Sequence, residues 1–295
     1  MVVLVVAGKT IVMVQKSLVL ISFLLTISCQ NFGQLKVVTD LPYSLKEVSG
    51  IEKTRNSDLL WMLNDSGNKP ILYSVNTNGY IIREVVVNAK NNDWEDITSD
   101  EKGNLYIADF GNNNNKRKNL KILKISHHDL MEKDAVEVTK IKFSYPDQHK
   151  FPPKKKARFF DAESILYKNG FLYIFTKSRV KGKYGKTTLY KIPAIKGSHK
   201  AKRISTFKNC SDIHCSITAA TISPNGKKVA LLNHQSVFVF TNFNDDDFFS
   251  GDVKEFALEH VSQKESISFK DDTTLYIADE KTKSLGGKLY EFKIK

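Results

Sequence analysis

The chain has three cysteines in 295 residues, and no grouping of Cys and His that supplies the four ligands of a structural zinc site. No stretch reaches the roughly 20 apolar residues that a membrane-spanning helix needs. A nucleophile elbow and a paired-His zinc helix are both missing, which removes two common hydrolase signatures. Gly182-Lys183-Tyr184-Gly185-Lys186-Thr187 approaches a phosphate loop, but Val180 stands where its first glycine belongs, and the segment joins two strand-like runs instead of opening a helix. Asn244-Asp245-Asp246-Asp247 lacks the spaced ligands and closing Glu of a calcium hand, and reads as a solvated hairpin turn. Amphipathic helices are absent too, apart from one turn at His127–Glu132.

What is present is enough to fold. Apolar residues make up 41% of the chain, with 18 Phe and 11 Tyr, and a disordered chain is excluded. The formal net charge of +13 falls by two once Lys9 and Lys16 of the N-terminal segment are removed. Because the lysines are scattered, the surplus reads as surface solvation before it reads as a polyanion site, and no nucleic-acid partner is expected.

Lys16 precedes the apolar run Ser17–Ile27, which Ser28 and Cys29 close. The run suits a signal-peptide core of ~7–15 residues, and a start at Met13 would give a compact basic leader. Ser28-Cys29 resembles the lipobox of bacterial lipoproteins, although Thr26 stands where Leu is preferred; an ordinary secretory signal is the alternative. Residues 1–28 are thus expected to be a signal peptide, Cys29 the lipidated residue, 29–34 a short tether and 35–295 the folded domain. The expected location is the cell envelope, as an outer-membrane or other envelope lipoprotein, periplasmic or surface-facing, monomeric and held to the membrane by its lipid alone. In that oxidising compartment Cys210 and Cys215 are expected to form a local disulfide, with a metal site including His214 as the rival.

One pattern recurs five times: a small or acidic residue, a spacer and Ile, followed by two short apolar runs separated by turn residues. The copies begin at Ser49-Gly50-Ile51, Glu95-Asp96-Ile97, Glu163-Ser164-Ile165, Ala220-Thr221-Ile222 and Glu265-Ser266-Ile267. Second strands read Leu59–Leu63, Leu105–Ala108, Leu172–Phe175, Val229–Leu232 and Leu275–Ala278, preceded by turns such as Lys168-Asn169-Gly170. A fourth, alternating strand follows four of the copies, for instance Val138–Phe143; the fifth copy lacks one, while Leu35–Thr39 is a spare strand ahead of the first. The predicted fold is therefore all-β, a single propeller of five four-stranded blades closed by pairing of the terminal strands, with six blades as the alternative. Two long loops, 111–119 and 145–160, interrupt it.

In such a propeller each inner strand begins at the end of the channel where the second strand finishes, so the polar residues there gather at one mouth. Glu95, Glu163 and Glu265 start inner strands and are candidate metal ligands; oxygen-rich, sulfur-free surroundings select Ca²⁺ or Mg²⁺. Asn64, Asp65, Asp109, Asn112, Lys177, Asn233 and Asp279 are candidate ligand-binding residues at the same mouth. The competing reading has each Glu bonding backbone amides of the next blade while Lys177 and Arg179 neutralise the rest.

Asn64-Asp65-Ser66-Gly67-Asn68, Asp93-Trp94-Glu95-Asp96-Ile97, Asp109-Phe110-Gly111-Asn112-Asn113 and Asp161-Ala162-Glu163-Ser164 together resemble bacterial exported propellers of the SdiA-regulated group, and more distantly esterase-like phytase and NHL-type propellers. The resemblance covers nearly the whole mature chain and implies a propeller with a calcium-centred channel, without an agreed activity. Two departures stand out: Asn112-Asn113 where many relatives read Asp-Asn, and Ala220, which breaks the ring of acids.

Two functions follow from these residues. One is an anchored binding or scaffolding propeller whose acidic mouth and long loops hold a ligand or protein partner. The other is a metal-assisted hydrolase of a phosphoester, ester or lactone, with Glu95 or Glu163 as general base and His234 assisting. A glycosidase built on Glu95 and Glu163 is a variant of the second. The loop Lys150–Phe160, mixing lysines with aromatics, would face phospholipid or polysaccharide.

Overall fold

Period-two apolar runs separated by tight turns produce five sheets, each built on an antiparallel meander of three or four strands. The computed structural model describes residues 31–55, 57–283 and 285–295, so the expected signal peptide and Cys29 lie outside the described residues. From the channel outward, blade 1 comprises Val48–Lys53, Leu60–Asn64, Ile71–Val75 and Ile81–Val87. Blade 2 comprises Trp94–Ser99, Leu105–Asp109, Lys121–Ile125 and Thr139–Ser144. Blade 3 comprises Asp161–Lys168, Phe171–Lys177, Lys186–Pro193 and Lys202–Lys208. Blade 4 comprises Ala219–Ile222, Val229–Leu232, Ser236–Thr241 and Asp252–Ala257.

Blade 5 takes Lys264–Asp271, Thr274–Asp279 and Lys288–Lys293 from the C-terminus and its outer strand, Lys36–Asp40, from the N-terminal side. Lys36 lies opposite Glu291 and Asp40 opposite Lys288, with one shift of register between Val37 and Thr39, so strands from the two ends of the described chain close the ring. Apolar side chains fill the space between neighbouring blades in five separate layers, one for each adjacent pair, including one that joins blade 5 to blade 1 through Leu289, Ala278, Ile51 and Met62. The fold is the five-bladed propeller expected, and not the six-bladed alternative.

Hairpin chemistry is local. In blade 3, Lys168 pairs with Phe171 around Asn169 (φ 50°) and Gly170 (φ 80°), the left-handed pair that a two-residue turn requires. Two additional strands were not anticipated. Ala135–Val136, from the connection inside blade 2, pairs in parallel with the outer strand of blade 1, and Gly197–Lys200, from blade 3, does the same to blade 2. Both cover outer edges that would otherwise be open to pairing. The helix His127–Glu132 lies in the first of these connections, capped by Ser126, and Arg83 of blade 1 donates to the carbonyls of Leu130, Met131 and Lys133. Among the described residues no helix is long and apolar enough to cross a membrane.

The Asn244–Asp247 loop is not the solvated turn that its composition indicates. Asp246 accepts from Tyr173 and Lys191, and Asp247 from the Ser205 hydroxyl, so the loop pins blade 4 to blade 3.

Candidate functional site

Strand parity sorts the polar residues at the channel mouth. The register of the inner hairpins aligns Asn64, Asp109, Thr176, Asn233 and Asp279 at the same position in the five second strands. All five are at most 3% exposed. They point between blades and serve the fold. Asn64 donates to the Ser44 carbonyl (2.7 Å), and Asn233 accepts from the amides of Gln235 (2.9 Å) and Ser236 (2.6 Å). Asp279 accepts from Lys288 N (2.9 Å) and the Tyr290 hydroxyl (2.8 Å). Asp109 is held by Arg117 (2.8 Å) and Lys121 (2.6 Å). Asn112 is also internal, donating its amide to Asp161 (2.6 Å) and its side chain to the Phe160 carbonyl (3.2 Å). Of the seven expected ligand-binding residues, Asp65 and Lys177 line the mouth; the other five do not. One residue further along, side chains turn over, and Asp65, Lys177 and Glu280 face the channel.

The inner-strand acids reach the mouth through β-bulges. The pairing shifts between Val48 and Gly50, Trp94 and Ile97, Ala162 and Ser164, and Lys264 and Ser266, and the displaced residues Ser49, Glu95, Glu163 and Glu265 all line the mouth. Blade 4 pairs without a shift, and Ala220 lies opposite Leu231, where the other inner strands place Ile51, Ile97, Ile165 and Ile267. The break in the acid ring is therefore at Thr218, two residues earlier, whose hydroxyl donates to the Lys264 carbonyl (2.7 Å).

The mouth is a cavity of about 230 Å³. Asp65, Glu95, Glu163, Glu265 and Glu280 bring carboxyls to it, opposed by Lys177 and Arg179. Two of the three expected metal ligands are already engaged. Glu163 binds Lys177 Nζ (3.0 Å) and Arg179 (2.9 Å); burial alone would raise its carboxyl, but these cations hold it below the ordinary range. Arg179 also binds Asp161, which burial and the charge of Glu163 push up to about 7. Glu265 lies 3.1 Å from Nε2 of His234.

Glu95 differs. It is 6% exposed, faces the cavity, and among the described residues no hydrogen bond or ion pair engages its carboxyl. Burial, then the charges of Glu163, Asp65, Asp161 and Asp93, push it well above the ordinary range. One oxygen each from Asp65, Asp93 and Glu95 lies within 4.8 Å of the others. Gly111 makes this approach feasible, since a Cβ there would stand 1.9 Å from Glu95 Oε1 and 2.5 Å from Asp93 Cγ. Burial lifts Asp65 to about 6, with Asp93 and Glu163 adding to it, and raises Asp93 against the pull of Arg117. Glu280 rises to about 8 through burial and then Glu265 and Asp65. Asp65, Asp93 and Glu95 thus form an all-oxygen group, the donor chemistry that suits a hard divalent cation. Asp93 was visible within the Asp-Trp-Glu-Asp motif; the bulges and Gly111 left no signal by which to single it out.

Asp96, between Glu95 and Ile97, supplies the contact once expected of the glutamates: its buried carboxylate accepts from the amides of Ile97 (2.8 Å) and, in blade 3, Ile165 (2.9 Å). Further down the inner strands, Glu52 accepts from the Ser99 amide (3.0 Å) and hydroxyl, and burial raises it to about 7. Cys210 and Cys215 are joined in a disulfide, and the His214 ring lies tilted at 53° to that of His234 with centroids 5.8 Å apart.

No family model and no curated protein matches the chain. Among solved structures it is similar to a catalytically inactive virginiamycin B lyase from Staphylococcus aureus with quinupristin, at 15% identity and a TM-score of 0.42, covering 86% of this chain and 69% of that one. It is also similar to a chain of a nidogen/laminin complex (10%, TM-score 0.47, covering 84% and 76%) and to the β-propeller domain of Myceliophteria thermophila Cps50 (Swd1) (10%, TM-score 0.41, covering 84% of each).

Proposed function

We propose that the protein is an envelope-anchored binding propeller whose channel mouth takes Ca²⁺ or a similar divalent cation through Asp65, Asp93 and Glu95, and there captures a ligand or protein partner. The observation that carries this reading is the Glu95 carboxyl: buried, facing the cavity and without a protein partner among the described residues, beside two further carboxyls within reach. A buried acid without a partner is costly unless it is protonated or bound to a cation. Lys177 and Arg179, fixed on Glu163, add positive charge at the rim for an anionic group of the ligand.

A metal-assisted hydrolase of a phosphoester, ester or lactone is the second reading. Glu95 would be its base, because its carboxyl faces the cavity with no protein partner among the described residues, whereas Glu163 is tied to Lys177 and Arg179. Thermal unfolding with Ca²⁺ against chelator tests the shared premise. At about 100 times Kd the ion stabilises by about 2.7 kcal/mol. That gain is expected in wild type and Glu163→Gln and lost in Glu95→Gln and Asp65→Asn. No stabilisation of wild type, or an equal gain in Glu95→Gln, overturns the proposal.

A further inference from the structure

On blade 3, away from the acids of the mouth, a cavity of about 420 Å³ lies between the glycine-containing loop that precedes Lys186–Pro193 and the segment that follows Lys202–Lys208. Its charged lining is entirely basic: Lys183, Lys186 and Lys208. Among the described residues none of these ammonium groups has an ion pair or hydrogen bond. Lys186 lies 4.1 Å from the centroid of the Phe159 ring, which forms part of the wall. The nearby carboxylate of Asp147 is occupied by the Tyr190 hydroxyl (2.9 and 3.0 Å). Burial and then Arg203, Lys208 and Lys183 lower the Lys186 pKa against the opposing pull of Asp147, so the cations of the cluster repel one another.

The two walls are laced together. Asn209 N donates to the Gly185 carbonyl (3.2 Å), the Asn209 side chain donates to the Cys215 carbonyl (2.9 Å), and its Oδ1 accepts from Cys210 N (2.6 Å). Gly185 is required for that closeness, because a Cβ there would stand 1.7 Å from Asn209 Oδ1. The Cys210–Cys215 disulfide fixes the same segment. The pocket is thus preformed, which lowers the ordering cost of binding.

We propose that this pocket is an anion site for a phosphate monoester, held by Lys183, Lys186 and Lys208. Three ammonium groups without an ion-pair partner among the described residues favour a dianion over a carboxylate or a sulfate ester, each of which brings one charge. The volume leaves room for an organic group beyond the phosphate. The Gly182–Thr187 segment therefore serves phosphate by side-chain charge, without the helix N-terminus on which a phosphate loop depends. The monoester would belong either to a soluble metabolite or to a lipid headgroup.

Isothermal titration of the mature chain with glycerol 3-phosphate, competed by inorganic phosphate, tests the site, and flotation with phosphatidylcholine vesicles with and without phosphatidic acid identifies the source. The expected result is saturable binding in at least one arm, weakened at least about tenfold in Lys186→Gln/Lys208→Gln and unchanged in Lys140→Gln/Lys142→Gln, which alters a second lysine-rich groove on blade 2. Binding to glycerol 3-phosphate assigns a soluble ligand; binding only to phosphatidic acid vesicles assigns a lipid. Absence of binding in both arms, or equal weakening by the blade 2 variant, overturns the proposal. Glu95→Gln leaves the result unchanged, so failure here is distinct from failure of the cation site.

Discussion

Lys177→Met tests how the mouth tolerates its acids. Lys177 Nζ lies 3.0 Å from Glu163, a residue 5% exposed, and Arg179 supplies the second cation at 2.9 Å. Removing one partner of a buried pair costs about 3–5 kcal/mol, and because Arg179 remains, the lower end applies, about 3 kcal/mol. At ~2–4 °C per kcal/mol for a domain of this size, melting should fall by ~6–12 °C at pH 7. The cations hold the Glu163 carboxyl low, so the wild type gains stability above the ordinary carboxyl range and loses it as pH falls through the depressed value. In Lys177→Met that gain is reduced and burial acts against the charge, so the deficit is largest at neutral pH and shrinks toward pH 5. Adding Glu163→Gln should recover most of the loss, with a coupling of at least about 2 kcal/mol in the double-mutant cycle. Wild-type melting in the single variant, or additive losses in the double, would refute the assignment.

Three other expectations follow. Glu52 is raised to about 7 by burial, so its contribution to stability is full in mild acid and is lost as pH rises from about 4.5 through 7; Glu52→Gln should flatten that part of a pH-melting curve. Cys210→Ser/Cys215→Ser opens a loop with a sequence separation of 5, for which chain entropy gives about 2 kcal/mol, read as a lower denaturant midpoint that matches reduced wild type. A chain beginning at Leu41 loses Lys36–Asp40 and leaves the strand Lys288–Lys293 as an open edge, so it should melt earlier and self-associate on size exclusion; a monomer with wild-type melting would contradict closure by the terminal strand.

The blades were legible because their signals are local. Leu105-Tyr106-Ile107-Ala108 and its counterparts carry period two, and Lys168-Asn169-Gly170 announces its turn, so strand number and terminal pairing follow from the chain. The inserted strands were not, because Ala135–Val136 and Gly197–Lys200 are short and borrow their order from a neighbouring blade. The site was read at the level of the mouth but not of its ligands. Asp109 and Asp279 look like Asp65 and Glu280 in sequence, yet one step along a strand reverses the side chain, and only the register separates inward from mouth-facing acids. In blade 4 the Ile222 match placed Ala220 in the ring, whereas pairing to Leu231 places it two residues further along.

The central claim is that Asp65, Asp93 and Glu95 form the cation site. Crystals of residues 31–295 soaked in Mn²⁺, with diffraction collected for its anomalous signal, test it most directly. One anomalous peak is expected at the channel mouth, bonded to oxygens of all three residues and absent from Glu95→Gln crystals. A peak held by Glu163 or Glu265, or none at the mouth, would contradict it.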